Sequence, residues 1–243
     1  MRLDKFLSHT GFGSRKEVRL LLKQKKIFVN EKVQTKGDLK IDVNKDQVSM
    51  DGEKIHYQKF HYLMLHKPSG VLSATEDVKQ KTVIDLLSDD YQHLDLFPVG
   101  RLDKDTEGLL LLTNDGELAH FLLSPKKEVK KVYFARVEGI MDDDDRVAFQ
   151  NSILLEDGYK CLPGQLEIKK TDSEQNQSEV LITIQEGKFH QVKRMVKARG
   201  KEVNYLKRLS MGTLKLDPSL KRGEYRYLTD EELQSLKEHL PNN

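Results

Sequence analysis

The 243-residue sequence predicts an α+β chain in two parts, a small basic module over residues 1–59 and a larger domain over residues 60–243. Three observations predict it. Segments with the apolar runs or alternation of strands are interleaved with helix starts marked by their capping residues. The strongest strand signal, four leucines at 109–112, lies between Gly108 and the turn sequence Asn114-Asp115-Gly116. The stretch 56–61 is polar and aperiodic, which places the boundary between the two parts there.

In the first part, Ser14-Arg15-Lys16-Glu17 fits a capping box, in which Ser14 and Glu17 each satisfy an amide at a helix start. Val18, Leu21 and Leu22 then fall at helical spacing and face a small core. Arg15, Arg19 and Lys23 recur every four residues and share one face. Residues 27–29 read as a strand, Asn30-Glu31 as a turn, 32–33 as the returning strand, and 38–48 as a further β segment.

The second part opens with an apolar strand at 62–65, ended by a Lys67-Pro68-Ser69-Gly70 turn in which proline presets φ. Residues 82–87 make one or two helical turns. The loop 100–108 carries Arg101, Asp103, Asp105 and Glu107 directly before the leucine strand, a position where a rigid sheet edge presents binding or catalytic groups. Asn114 or Asp115 caps a helix over 117–123. Residues 130–137 alternate as a strand, and Asp142–Asp145 form the acidic first turn of a helix running to Asn151. Residues 165–178 read as a flexible hairpin tip and 180–184 as a strand. The run 186–200 reads as a helix capped by Gly200, with Val192, Met195 and Val196 inward. A strand near 212–216 and a helix begun by Thr229-Asp230-Glu231-Glu232, with Leu233, Leu236 and Leu240 as its stripe, complete the chain.

No apolar run approaches the roughly 20 residues that span a bilayer, and the amino terminus lacks the pattern of a signal peptide. The expectation is a protein with no membrane partner. Cys161 stands alone, which fits a reducing compartment and a small buried hydrophobe. The formal net charge of +2 conceals an asymmetry. Residues 1–30 carry eight Lys/Arg against two acids and residues 186–215 carry nine against two, so the remainder is strongly acidic. Two basic segments of this kind are the footprint expected for binding a phosphate backbone. No histidine or cysteine spacing supports a metal site, and His190, beside a basic run, reads as a structural residue. Spacing alone leaves the three acids of the loop open between paired-carboxylate chemistry and solvated turn residues.

Met1-Arg2-Leu3-Asp4-Lys5-Phe6-Leu7, Gly13-Ser14-Arg15-Lys16 and the stretch 27–33 resemble the S4 RNA-binding domain, an alpha-L-like module, over residues 1 to about 50. The loop-and-strand run Gly100-Arg101-Leu102-Asp103 through Gly116, together with Lys131-Val132-Tyr133 and 186–195, closely resembles the signature of the RsuA-type ribosomal RNA pseudouridine synthases. With the ending 223–229, that resemblance covers essentially the whole chain. It implies a catalytic domain built on a mixed, mainly antiparallel β-sheet flanked by helices, working without a cofactor, as a monomer in the cytoplasm. It also implies the reaction: the bond from uracil N1 to ribose C1′ breaks, the base turns, and C5 is joined to C1′.

On the same resemblance Asp103 is the essential carboxylate, acting as nucleophile at C1′ or as base at C2′. Lys193 is its cationic partner, with Arg194 the fallback, and Tyr133 stacks on the uracil and helps remove the C5 proton. Arg101 fills the gap left by the flipped base; Arg2, Ser14, Arg15, Lys16, Arg19 and Arg194 contact RNA. Asp105 and Glu107 are then left as loop residues that shape or solvate the turn. The resembled target is uridine 516 of 16S rRNA, with a large-subunit (23S) site as the alternative. A non-catalytic RNA-binding or ribosome-assembly factor would need none of Asp103, Tyr133 and Lys193. A glycosidase pairing Asp103 with Glu107 is disfavoured by the basic segments.

Overall fold

The computed structural model describes residues 1–238 and, for Arg15, the backbone alone. Leu240, assigned above to the last helix, lies outside the described residues. The N-terminal module consists of α1 (Leu3–His9), α2 (Arg15–Lys23), β1 (Ile27–Val29), β2 (Lys32–Val33), β3 (Val48–Met50) and β4 (Glu53–Ile55). Its four strands form one antiparallel sheet in the order β2-β1-β3-β4. Leu3, Phe6 and Leu7 of α1 pack with Val18 and Leu22 of α2 and with Ile27, Val29 and Val48 of the sheet. The Ser14 capping box forms: Glu17 donates its amide to Ser14 Oγ at 3.4 Å, and Ser14 donates its amide to Glu17 Oε2 at 2.7 Å.

Two features of the module differ from the sequence reading. α1 is a helix that the sequence reading did not assign, and no side chain caps its start. Most of the segment 38–48 is loop rather than strand, bridged to the chain start by Arg2 opposite Lys40.

The larger domain runs β5 (Tyr62–Lys67), α3 (Asp89–Gln92), β6 (Phe97–Pro98), β7 (Glu107–Thr113), α4 (Gly116–Leu123), β8 (Lys131–Glu138), α5 (Asp143–Gln150), β9 (Gln165–Asp172), β10 (Gln177–Ile184), α6 (Gln191–Lys197), β11 (Glu202–Met211), β12 (Leu214–Lys215), β13 (Tyr225–Tyr227) and α7 (Asp230–Lys237). Its strands form one nine-stranded sheet, with the path β13-β5-β7-β11-β8-β10-β9 and with β12 and β6 beside β11 and β7. The pairing is antiparallel except between β7 and β11, which makes the sheet mixed.

The leucine run is continuous because β7 is buried on both faces. Leu110 and Leu112 join the core with Tyr133, Val192, Met195 and Val196, under α6. Leu109 and Leu111 join the opposite core with Leu118, Phe121 and Leu122 of α4 and Leu236 of α7. Full burial of such a side chain contributes about 1.5–3 kcal/mol, so this strand is a rigid base for the loop before it. Asp115 caps α4, accepting the amides of Glu117 and Leu118, both at 3.1 Å, and a 2.7 Å bond from the Tyr62 hydroxyl.

β11 is the element the sequence reading lacked, and it lies in the middle of the sheet. Its alternation is interrupted by register shifts against β8 between Val203 and Tyr205 and between Arg208 and Ser210, and it buries an arginine, Arg208. α6 begins at Gln191, not at 186. Glu186 is instead drawn inward, accepting bonds from the Tyr159 hydroxyl, the Leu162 amide and the Gln191 side-chain amide. Those tertiary partners outweigh the helical tendency of the segment.

Candidate active site

The loop 100–106 is held from behind by a buried lysine. Lys67, fully buried at the end of β5, donates to the carbonyl oxygens of Pro68, Asp103, Lys104 and Thr106 at 3.0, 3.1, 3.2 and 2.9 Å. An ammonium has three N–H groups, so one is shared. Burial pushes the Lys67 amine down to about 8, against the pull of Asp105, Asp103 and Glu107. Ser73 adds a second clamp, donating from Oγ to the Leu102 carbonyl at 2.9 Å and accepting the Leu102 amide at 3.1 Å.

Past the loop, Gly108 has φ of +109° and faces the backbone of Arg208 so closely that a Cβ would stand 2.2 Å from its carbonyl oxygen. Only glycine fits there. The close approach lets β7 pair with β11, whose Arg208 in turn donates from Nε to the Leu109 carbonyl at 2.8 Å.

On this support Asp103 projects a carboxylate whose side chain is 25% exposed. Lys193 of α6 places Nζ 3.3 Å from Asp103 Oδ2 and 2.6 Å from Asp105 Oδ1. Burial raises the Asp105 carboxyl, but its hydrogen bond to Lys193 and that cation's charge outweigh burial and hold it below the ordinary range. Asp105 therefore fixes the ammonium and leaves Asp103 the longer, ionic contact. On the other oxygen, His190 Nε2 stands 3.6 Å from Asp103 Oδ1. Asp103 thus has a basic side chain beside each oxygen.

Asp103 opens on a cleft that is also lined by Arg101, Thr106, Tyr133, Gln191 and Leu206. Tyr133 is 7% exposed on β8. Thr106 Oγ1 is buried with no hydrogen-bond partner among the described residues. Arg101 is exposed and takes part in no ion pair among the described residues.

Several residues stand elsewhere than expected. Arg194, the fallback partner, pairs with Asp157 at 2.6 Å and does not reach Asp103. Glu107 is not a solvated loop residue: it begins β7, is 6% exposed, and accepts bonds from the Tyr205 hydroxyl at 2.7 Å and Arg222 Nε at 2.8 Å. Those two partners hold its carboxyl below the ordinary range despite burial, and they turn it away from glycosidase-like pairing with Asp103. Asp105 is exposed, as a loop residue is expected to be, and it also pairs with Lys193.

Of the expected RNA contacts, Arg2 pairs with Asp4 at 2.7 Å, Ser14 is the cap of α2, and Lys16 and Arg19 are exposed on that helix. The sequence reading missed Lys67, whose one signal was a lysine ending an apolar run, and His190, whose nearness to Asp103 no local pattern announces. Among the described residues no three His, Cys, Asp or Glu side chains converge as a metal site, and no helix is long and apolar enough to cross a membrane.

A carboxylate on a clamped loop, beside a tyrosine in a cleft, sits in a domain that follows a small module with a basic helix. Residues 61–198 match the family described as RNA pseudouridylate synthase, and residues 1–46 match the S4 domain. The chain belongs to the RNA pseudouridine synthases, in the S4-bearing branch that holds the RsuA-type enzymes, and is an isomerase.

It is 50% identical over 238 residues to the uncharacterized RNA pseudouridine synthase YtzG of Bacillus subtilis, covering 98% of this chain and 99% of that one. It is 41% identical to the ribosomal small subunit pseudouridine synthase A of Vibrio cholerae, covering 97% and 99%. It is 40% identical to the ribosomal large subunit pseudouridine synthase B of Bacillus subtilis, covering 97% and 95%. A crystal structure of a pseudouridylate synthase superposes with a TM-score of 0.67 at 33% identity, covering 97% of this chain and 99% of that one.

Proposed function

We propose that this enzyme converts one uridine of ribosomal RNA to pseudouridine, at uridine 516 of the 16S molecule, as a cytoplasmic monomer without a cofactor. The observation that carries the reading is Asp103, set on a loop clamped by Lys67, flanked by Lys193 and His190, and opening on the cleft it shares with Tyr133. The target nucleotide leaves its stack at a cost of a few kcal/mol, and Arg101, exposed at the cleft, fills the space it vacates.

Asp103 then acts at the ribose, by attack on C1′ or by taking the C2′ proton. The N1–C1′ bond breaks, the detached uracil turns against the Tyr133 ring, and C5 bonds to C1′ as the Asp103–C1′ bond breaks or, on the other route, as the C2′ proton returns from Asp103. Loss of the C5 proton, assisted by Tyr133, and gain of a proton at N1 complete an isomerisation in which atoms and charge balance. The basic face of α2, with Arg15, Lys16 and Arg19, and the cations Arg2 and Arg194 hold the phosphate backbone.

The small-subunit target is supported by the Vibrio cholerae relative and by the Arg-Leu-Asp-Lys-Phe opening and Gly-Glu-Tyr-Arg ending of the chain. A second reading, a large-subunit uridine, is favoured by the 40% identity to large subunit pseudouridine synthase B and by the Thr10-Gly11-Phe12-Gly13-Ser14-Arg15 stretch. Mapping pseudouridine in both ribosomal RNAs from cells with and without the protein decides between them. The expected result is one 16S site lost with the gene; a lost 23S site establishes the second reading, and no lost site in either RNA overturns both.

A further inference from the structure

Phe189 is an apolar ring left 76% exposed on the loop that faces Asp103, and the chemistry above gives it no task. Its exposure is built into the loop. Glu186, at the loop's start, is buried and tied at 2.5, 2.8 and 2.7 Å to the Tyr159 hydroxyl, the Leu162 amide and the Gln191 side chain. The Lys188 amide donates to Gln191 Oε1 at 2.9 Å, and the Gln191 amide donates back to the Lys188 carbonyl at 3.1 Å. The loop is thereby closed on itself with Phe189 between its anchored ends.

His190 takes a left-handed backbone conformation, φ 49°, uncommon for any residue but glycine. The imidazole lies flat on the Phe189 ring, centroids 3.8 Å apart and planes 17° from parallel. The same imidazole reaches to within 3.6 Å of the Asp103 carboxylate. One face of the phenyl ring is therefore backed, and the ring as a whole stays open to solvent beside the cleft. Lys188 adjoins it, and a groove of about 560 Å³ lies alongside, lined by Lys193, Arg194, Lys197 and Lys201 and also by Glu138 and Glu202.

We infer that the Phe189–His190 pair is a stacking shelf for the nucleobase adjacent to the uridine that enters the cleft. The inference rests on the RNA substrate proposed above. Flipping one nucleotide leaves its neighbours with an unstacked face, and an aromatic ring takes such a face whatever the base, because every base has a π surface. An exposed ring with cations nearby complements a strand that carries both phosphates and π faces. Arg101 lies on a different loop, so the shelf and the gap-filling side chain hold the strand at separate points.

The test uses the full-length enzyme. The chain contains no tryptophan, so Phe189→Trp places its one tryptophan, excited apart from the tyrosines, at the shelf. Titrated with whichever of the 16S and 23S transcripts the wild type modifies, its emission is expected to fall by about half or more at saturation. Phe189→Leu, which keeps an apolar side chain but no ring, is expected to raise KM roughly tenfold and leave kcat within about threefold. Unchanged emission on bound transcript, or a Phe189→Leu KM equal to wild type, overturns the shelf alone. A wild-type enzyme that forms no pseudouridine in either transcript overturns the substrate reading, and the shelf with it.

Discussion

In the N-terminal module Lys16, Arg19 and Lys23 stand exposed on α2, whereas in the catalytic domain Lys67, Lys131 and Arg208 are 0, 5 and 2% exposed and donate to backbone carbonyls. The same residue types serve opposite ends. On α2 the charge is left in water, where it can meet a phosphate and release counterions. In the domain the charge is taken out of water at a cost, and what is gained is a backbone held in one place. Lys67 shows this most directly, since three of its four acceptors belong to the segment that carries Asp103.

Removing one cation from each region separates the two roles. Lys67→Met leaves the carbonyls of Asp103, Lys104 and Thr106 without their donor; a displacement of about 1 Å at the reacting carboxylate can cost on the order of a hundredfold in rate. Single-turnover pseudouridine formation is expected to fall by about that factor, with a lowered melting temperature; a wild-type rate would mean that Lys67 does not position the loop. Replacing Lys16, Arg19 and Lys23 together by alanine is expected to leave kcat unchanged. It should weaken rRNA binding and flatten the plot of log affinity against log salt by about two to three units. An unaltered slope would remove α2 from the interface.

The smallest effect is on stability. Burial, joined by the charge of Arg208, pushes the Lys131 amine down to about 8, and Lys67 is lowered to the same value, from 10.5. Above pH 8 these two lysines bind more protons in the unfolded chain than in the folded one, so their contribution makes stability rise with pH through this window, and the cost of the buried charges is fully present below it. The urea midpoint is expected to increase between about pH 8 and 9.5, and to increase less steeply in Lys131→Met. Equal slopes would show that Lys131 is not held charged in the interior.

The sequence made local features legible and distant ones not. The capping boxes at Ser14 and Thr229 and the leucine strand are written in adjacent residues, and each forms. β11 has no clean alternation, because register shifts and a buried arginine interrupt it, and its burial depends on strands far away in the chain. The limits of α6 were misread for a related reason: Glu186 finds partners on the 159–162 segment that local propensity cannot anticipate. In the site, Asp103 stood out through its surrounding motif. The division of labour among the three acids came from partners 88 and 98 residues away in sequence, Lys193 for Asp105 and Tyr205 for Glu107.

The central claim is that Asp103 performs the chemistry while other groups bind the RNA. The direct measurement is pseudouridine formation by Asp103→Asn on the rRNA that the wild type modifies, with the affinity of both proteins for that RNA measured alongside. The expected result is no detectable pseudouridine with affinity within about twofold of wild type. Modification by the variant at the wild-type rate would contradict the assignment of Asp103.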